Sequence, residues 1–465
     1  MKKIFVSFLG VVAALLLTGC NMDLPLTHNT DGDKPMENVQ DVVSALNGAM
    51  QQFGGYRFMG RNYVATGDFC GDISKANAGT GHFLHMNGWT FDENTGDLEE
   101  MWTAGYVIIS ACTRGIEGAN HIMPTLTTDA DKQTLTNCLQ QFYGLKAATY
   151  FYLSNLFCKA YSAEHAPGLG LILIKDELVK PEVKVERTSL EDTYKYILEL
   201  IAKAYTYDNK EVSPFFINPI NLKAIEAKVR LYMRDYAGAA AAADVVLTSK
   251  TYKDVKVGES DYLSMWNTVA AVPEDVFTIV KSDNDNLSAN ALNTLYGSYK
   301  GIVDLTFVQP FFKEGDYRAK LFDAKSSRTL KYEGTPTAKA VSNIHVIRLS
   351  EVYLIKAEAA AQLGNVADAQ AALLYTAKRN PAITAVADLP STKEDLLKFI
   401  AEERIRELFT EGNRYFDLRR TEATATIAGK ANFKPYNAVF PIPASEINAG
   451  FMTQQNDDWA SNLPK

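Results

Sequence analysis

Between Ala401 and Arg420 charged residues alternate with large apolar ones more densely than anywhere else in the chain. Helical spacing puts Ile400, Leu408 and Phe409 on one side with Ile405 and the stem of Arg404. Gly412 stands where a left-handed cap ends a helix. Glu402/Arg406, Glu403/Arg406 and Arg404/Glu407 are i,i+4 or i,i+3 pairs. Beyond the glycine, Arg414, Asp417, Arg419 and Arg420 interleave with Tyr415, Phe416 and Leu418. A solvated charged helix is the plainer alternative. The interleaving favours a charged network packed under aromatic cover, structural and not catalytic. A chain that buries this segment must build a scaffold around it.

The opposite end is equally specific. Lys2 and Lys3 precede an apolar run from Ile4 to Leu17, and Leu17-Thr18-Gly19-Cys20 matches the lipobox of bacterial lipoproteins. The run is shorter than the roughly 20 residues a membrane-spanning helix needs. Residues 1–19 therefore read as a lipoprotein signal peptide and Cys20 as the lipidated residue. Two or three acyl chains hold a protein firmly on a membrane, where one binds only marginally. Residues 20–37 are polar, contain Pro25 and Pro35, and read as a lipidated tether.

Residues 38–465 read as a single domain. A helical scaffold is expected at about 38–55, 97–250 and 345–420, with loop-rich parts at about 56–96, 251–344 and 421–465. Helix signals cover 38–52, 97–119 and 129–160, and another helix begins after Thr188-Ser189-Leu190-Glu191. From Arg57 to Thr95 no helical period is visible, and loops of that length are usually functional. Two segments look like tetratricopeptide-type helix pairs. One has Ala227, a turn at Asp235-Tyr236, then Ala239; the other has Ala357, a turn at Gly364-Asn365-Val366, then Ala369. The spacing between the alanines is the same in both, and small residues there let two helices approach closely.

The net charge of −8 argues against a nucleic-acid partner. No Walker A, nucleophile-elbow, zinc-protease or dinucleotide-binding motif is present, so neither an enzyme nor a cofactor is expected. His82 and His85 stand i,i+3 but lack further ligands at metal spacing and read as ordinary loop histidines. Asp283-Asn284-Asp285-Asn286 reads as a solvated turn, lacking the glycine and distant glutamate of a calcium loop. Cys70, Cys112, Cys138 and Cys158 could pair in an exported protein; Cys112, Cys138 and Cys158 lie within apolar helical patterns, where buried free thiols are the alternative.

Binding needs another constellation. Sugars offer C–H faces to aromatic rings, and hydroxyls to amides, carboxylates and guanidinium groups. The Arg57–Trp89 region supplies Arg57, Arg61, Tyr63, Asp68, Asn77, Asn87 and Trp89. The Tyr262–Tyr299 region supplies Trp266, Asn290, Asn293, Tyr296 and Tyr299. From these, Trp89, Trp266, Tyr296 and Tyr299 are the candidate stacking platform, with Arg61 and Asn293 as polar contacts. Trp89 could equally be core, since Trp is mostly buried.

The segment from Glu403 to Arg420 resembles the signature of the SusD/RagB family of lipid-anchored nutrient-binding proteins. Trp102–Glu117, Leu139–Tyr161, Asn221–Leu247 and Arg348–Asn380 resemble its helix pairs, and Phe440–Asn448 resembles its ending. Many members are longer, which implies shortened surface loops here. The resemblance implies a mostly α, SusD-like fold: a tetratricopeptide-like scaffold with a loop-rich, irregular ligand-binding subdomain. It implies a glycan-binding lipoprotein on the outer membrane, cell-surface exposed, that captures an oligosaccharide and delivers it to a SusC-like TonB-dependent β-barrel. Peptide capture, as in the RagB branch, is the alternative; a lipid-anchored glycan hydrolase is a further one.

Overall fold

Five of the long helices begin where a side chain satisfies their first backbone N–H groups. Helix α1 (Val39–Phe53) starts at Asn38, which forms a reciprocal capping box with Asp41. Thr128 caps α4 (Asp129–Phe157), Ser189 caps α5 (Leu190–Ala204), and Asn218 with Pro219 starts α6 (Pro219–Tyr232). Thr392 caps α10 (Lys393–Leu408). The remaining long elements are α2 (Asn62–Phe69), α3 (Gly96–Ile122), α7 (Tyr236–Leu247), α8 (Leu349–Gln362), α9 (Val366–Ala377) and α11 (Arg414–Arg420). This computed structural model describes residues 36–175, 183–338, 341–449 and 453–462. Cys20, the signal peptide and the tether as far as residue 35 lie outside the described residues.

The helices stack in consecutive pairs: α3 on α4, α4 on α5, α6 on α7, and α8 on α9, with α8 also against α7 and α10. This is the tetratricopeptide-like arrangement expected from the sequence. Ala227, Ala239, Ala357 and Ala369 are all fully buried where their helices meet. The alternate scaffold of three two-stranded antiparallel ladders is small. It pairs β1 (Ser74–Lys75) with β3 (Ile302–Val303), β2 (Asp275–Ile279) with β6 (Ile344–Arg348), and β4 (Phe322–Asp323) with β5 (Arg328–Thr329).

Two details of the sequence reading need correction. Helix α2 lies inside the stretch read as loop. All eight of its residues are buried, and a helix buried all round shows no amphipathic period. Gly412 has the left-handed φ of +76°, but α10 ends at Leu408 and the glycine closes a short turn after it. The glycine is needed there because an added Cβ would lie 2.7 Å from the Val64 Cα of α2. A Cβ on Gly67 would run into the Gly412 carbonyl. Two backbones thus touch where α2 passes the turn.

The charged segment is buried, and most of its partners are distant in sequence. Glu407 is shielded from solvent and meets Arg348 at 2.9 Å, Arg318 at 3.2 Å and Arg379. Arg318 also binds Asp316 at 2.7 Å and Glu403 at 2.6 Å. Arg348 continues to Glu411 at 2.8 Å and Glu274 at 3.2 Å. Burial alone would raise Glu407; Arg379, Arg348, Arg318 and Lys331 overcome it and hold the carboxyl well below its ordinary range. Glu403/Arg406 and Glu402/Arg406 pair as expected, at 2.7 and 3.6 Å. Arg404 turns away from Glu407 and binds Asp417 at 2.7 Å instead. The four cysteines outside the lipobox are free and buried. Burial pushes Cys70 and Cys112 up to about 12.

Candidate functional site

Three of the four expected platform rings are core. Trp89 is 2% exposed and packs edge-on against Tyr415 and Phe433 at 5.5 and 4.8 Å. Trp266 is 3% exposed, with His345 at its edge and the Lys331 ammonium 4.8 Å over its ring. Tyr296 is 1% exposed; its ring stacks on Tyr332 and its hydroxyl donates to Asp68. None of these rings presents a face to solvent in this structure. The reason is the local packing of loops that carry their own small cores. Phe433, Tyr332 and His345 come from parts of the chain far from the rings they cover. Asn293 is half-buried and its amide is committed to the Tyr332 carbonyl.

Tyr299 and Arg61 are placed differently. Tyr299 is partly exposed and stacks on His82 at 3.7 Å with an interplanar angle of 13°. Its carbonyl accepts from the Thr80 hydroxyl at 2.8 Å, which ties the 77–82 loop to the 288–299 segment. Arg61 immediately precedes α2. Its guanidinium lies 4.8 Å over the Tyr56 ring and 5.4 Å over Phe83. It donates to Asn62 at 2.9 Å and to Asn290 at 2.5 Å, and approaches Asp97 at 3.9 Å. Burial pulls Arg61 below its ordinary value, against Asp97, Glu100, Tyr56 and Tyr299, which act to raise it.

Around Arg61 the fold thus collects Tyr56, Arg57, His85, Asp97 and Glu100 with the Tyr299–His82 stack. His85 pairs with Asp97 at 2.9 Å, and the exposed Arg57 with Glu100 at 3.5 Å. The chemistry on offer is a flat aromatic surface flanked by guanidinium, amide and carboxylate groups. These groups recognise hydroxyls and apolar ring faces by hydrogen bonds and stacking. Asn290 and Arg57 were within the regions named from sequence. Tyr56, Asp97 and Glu100 were not singled out, because nothing local marks them; α3 begins as an ordinary acidic first turn. His82 reads from sequence as a plain loop histidine, and only the fold brings Tyr299 onto it. Among the described residues, no group of three or more His, Cys, Asp and Glu side chains is arranged to hold a metal, and no helix is long and apolar enough to cross a membrane.

The carboxyl-terminal tail explains another sequence feature. Glu446 accepts from the Trp102 indole at 3.2 Å and from Thr453 at 3.0 Å, which fixes the tail to α3.

Comparison with known proteins agrees with this architecture. The SusD family profile matches residues 314–459. A SusD-like protein P2 from Formosa agariphila is 25% identical over 292 residues, covering 60% of this chain. The chain spans about half (53%) of the length of that curated relative in the match. The crystal structure of a SusD superfamily protein from Bacteroides vulgatus superposes with a TM-score of 0.80 at 25% identity, covering 92% of this chain and all of the other. A laminarin-binding SusD-like protein superposes with a TM-score of 0.72 at 20% identity, covering 90% of this chain and 99% of that one. With its paired helices, its buried Glu403–Arg420 segment and these likenesses, the chain has the fold of the SusD superfamily structures, and its residues 314–459 match the SusD family.

Proposed function

We propose that this protein binds an oligosaccharide at the bacterial surface and delivers it to a SusC-like TonB-dependent outer-membrane barrel. The observation that carries the reading is the partly exposed Tyr299–His82 stack beside Arg61. Rings held flat by a neighbour need little further ordering when a sugar face settles on them, so the site is preorganised. Loops positioned by a rigid helical frame are where recognition residues concentrate. The laminarin-binding relative of the same fold supports a glycan as cargo. The anchor is the acylated Cys20, and no catalytic step is needed. Affinity for a single chain is expected to be modest, roughly micromolar to millimolar, which suits a carrier that must release its cargo.

The reading is tested by affinity electrophoresis of the purified protein in gels containing laminarin, other β-glucans, α-glucans or mannans. Retardation in at least one glycan, without release of new reducing ends, is the expected result. Migration unchanged in every glycan, with capture of a peptide library instead, would move the protein to peptide uptake. The anchor is tested by labelling cells with an acyl-chain precursor. Cys20→Ala should remove the label, and a variant that stays labelled refutes the assignment.

A further inference from the structure

The two rings of the Tyr299–His82 stack are held very unequally. Tyr299 lies in a chain reversal closed by its own backbone. Its amide donates to the Thr294 carbonyl at 2.9 Å, and the Lys300 and Gly301 amides donate to the Gly297 and Leu295 carbonyls at 3.1 and 2.9 Å. Tyr296, three residues earlier, is buried and bonded to Asp68. The 77–82 loop has no such support. It follows β1 and re-enters the core at Phe83, which is 3% exposed. Between these ends Ala78, Gly79 and Gly81 are exposed, and Asn77, Thr80 and His82 are half-buried. With no side chain fully buried, the hydrophobic effect does not fix the tip.

Polar geometry sets the loop instead. Asn77 accepts from the Gly79 amide at 2.8 Å through its side chain, and from the Thr80 amide at 3.2 Å through its carbonyl. The Thr80 hydroxyl then lies between two carbonyls, that of Tyr299 at 2.8 Å and that of Asn77 at 3.1 Å. Carbonyls only accept, so the hydroxyl is the donor, and it ties the turn to the Tyr299 backbone. Among the described residues, no other hydrogen bond joins residues 77–82 to the 288–299 segment. Gly81, at a left-handed φ of +78°, turns the chain toward Phe83. His82 stands between that turn and the buried Phe83, with its ring 3.7 Å from that of Tyr299.

We infer that Thr80 is a positioning residue for ligand binding: its hydroxyl clips the loop so that His82 lies against Tyr299 before a ligand arrives. Thr80 itself need touch no ligand. Without the clip Tyr299 keeps its place and His82 is free to leave it. The cost of ordering the loop then falls on binding. One neutral hydrogen bond of this kind is worth roughly two- to tenfold in affinity. The inference rests on the glycan-binding reading above.

Affinity electrophoresis of the full chain tests it, in gels containing laminarin, other β-glucans, α-glucans and mannans. Thr80→Val, Thr80→Ser and Gly81→Ala are run beside wild type. Valine keeps the shape of threonine without the hydroxyl, and serine keeps the hydroxyl. An added Cβ at Gly81 meets open space but a strained φ, so alanine there disturbs the turn without a clash. Thr80→Val and Gly81→Ala should bind roughly two- to tenfold more weakly at unchanged Tm, and Thr80→Ser should restore binding. The imidazole proton resonances of His82, assigned with His82→Gln, should lose their upfield ring-current shift in Thr80→Val with no glycan present. Retardation of Thr80→Val equal to that of wild type overturns the inference. So does a His82 resonance that does not move, or equal weakening in Thr80→Ser and Thr80→Val. Gly81→Ala decides by the same two readouts if Thr80→Val is unstable. Wild type unretarded in every glycan removes the glycan-binding reading and this inference with it, whereas the outcomes above remove the inference alone.

Discussion

The hydroxyl of Tyr296 donates to the buried carboxylate of Asp68 across 2.6 Å, and Asp68 also accepts from the Gly412 amide at 3.0 Å. Three distant parts of the chain meet at this carboxylate: α2, the 288–299 segment that carries Tyr299, and the turn after α10. Burial raises Asp68 to about 7, against the lowering effect of its Tyr296 and Gly412 hydrogen bonds. The folded state therefore holds a proton that the unfolded chain releases near pH 4. The associated stability is complete below that pH and is lost as pH rises through about 7. Asp68→Asn does not titrate; its amide oxygen can still accept from Gly412, while its amide nitrogen donates to the Tyr296 oxygen in place of the bond now donated by Tyr296. The Tm of wild type relative to this variant should fall between pH 4 and 7 and then level off. A constant difference across that window would show that Asp68 does not titrate there.

Arg318 is the cation on which Asp316, Glu403 and Glu407 converge, and its side chain is fully buried. Arg318→Met would strand carboxylates that cannot reach water. Breaking a buried pair from one side costs about 3–5 kcal/mol. Urea unfolding should show a loss of that size, while glycan retention by the folded fraction stays normal. Intact stability with lost retention would place Arg318 in the site.

Two glycines distinguish packing from backbone conformation. Gly67→Ala drives a methyl into the Gly412 carbonyl, and overpacking of this kind costs about 1–3 kcal/mol or more. Gly364 has open space around it but a φ of +81°. Alanine there should cost only about 1 kcal/mol, the conformational term alone. Equal thermal shifts in the two variants would mean that the contact between α2 and the turn is not tight.

Tyr299 and Trp89 separate a binding ring from a core ring. Tyr299→Ala should abolish retardation in the glycan gel with little change in Tm. Trp89→Ala should destabilise by about 3–5 kcal/mol, as buried large-to-small changes do, and the folded remainder should still bind. The reverse pattern would return Trp89 to the platform and make Tyr299 structural.

The helix pairs were legible because their evidence is local. The alanines at 227, 239, 357 and 369, the cap at Ser189 and the turn at Gly364 each state a helix contact or boundary within a few residues. Helix α2 was not legible, since a fully buried helix loses the polar face that would reveal it. Of the candidate site residues, Arg61 and Tyr299 come together on one face. Trp89, Trp266 and Tyr296 do not join them, because aromatic composition in a loop cannot say which ring the loop folds over.

The sequence alone determined the helical scaffold, the lipobox at Cys20 and the need to bury the charges of Glu403 to Arg420. These depend on periodicity, spacing and the cost of unpaired charge, which operate at short range. Tertiary structure decided which arginine meets which carboxylate, that Arg404 turns to Asp417, and that His82 lies under Tyr299. Most of those choices depend on contacts between residues more than ten positions apart. Side chains of one type are interchangeable in a sequence pattern, and only the packed backbone gives each one its neighbour.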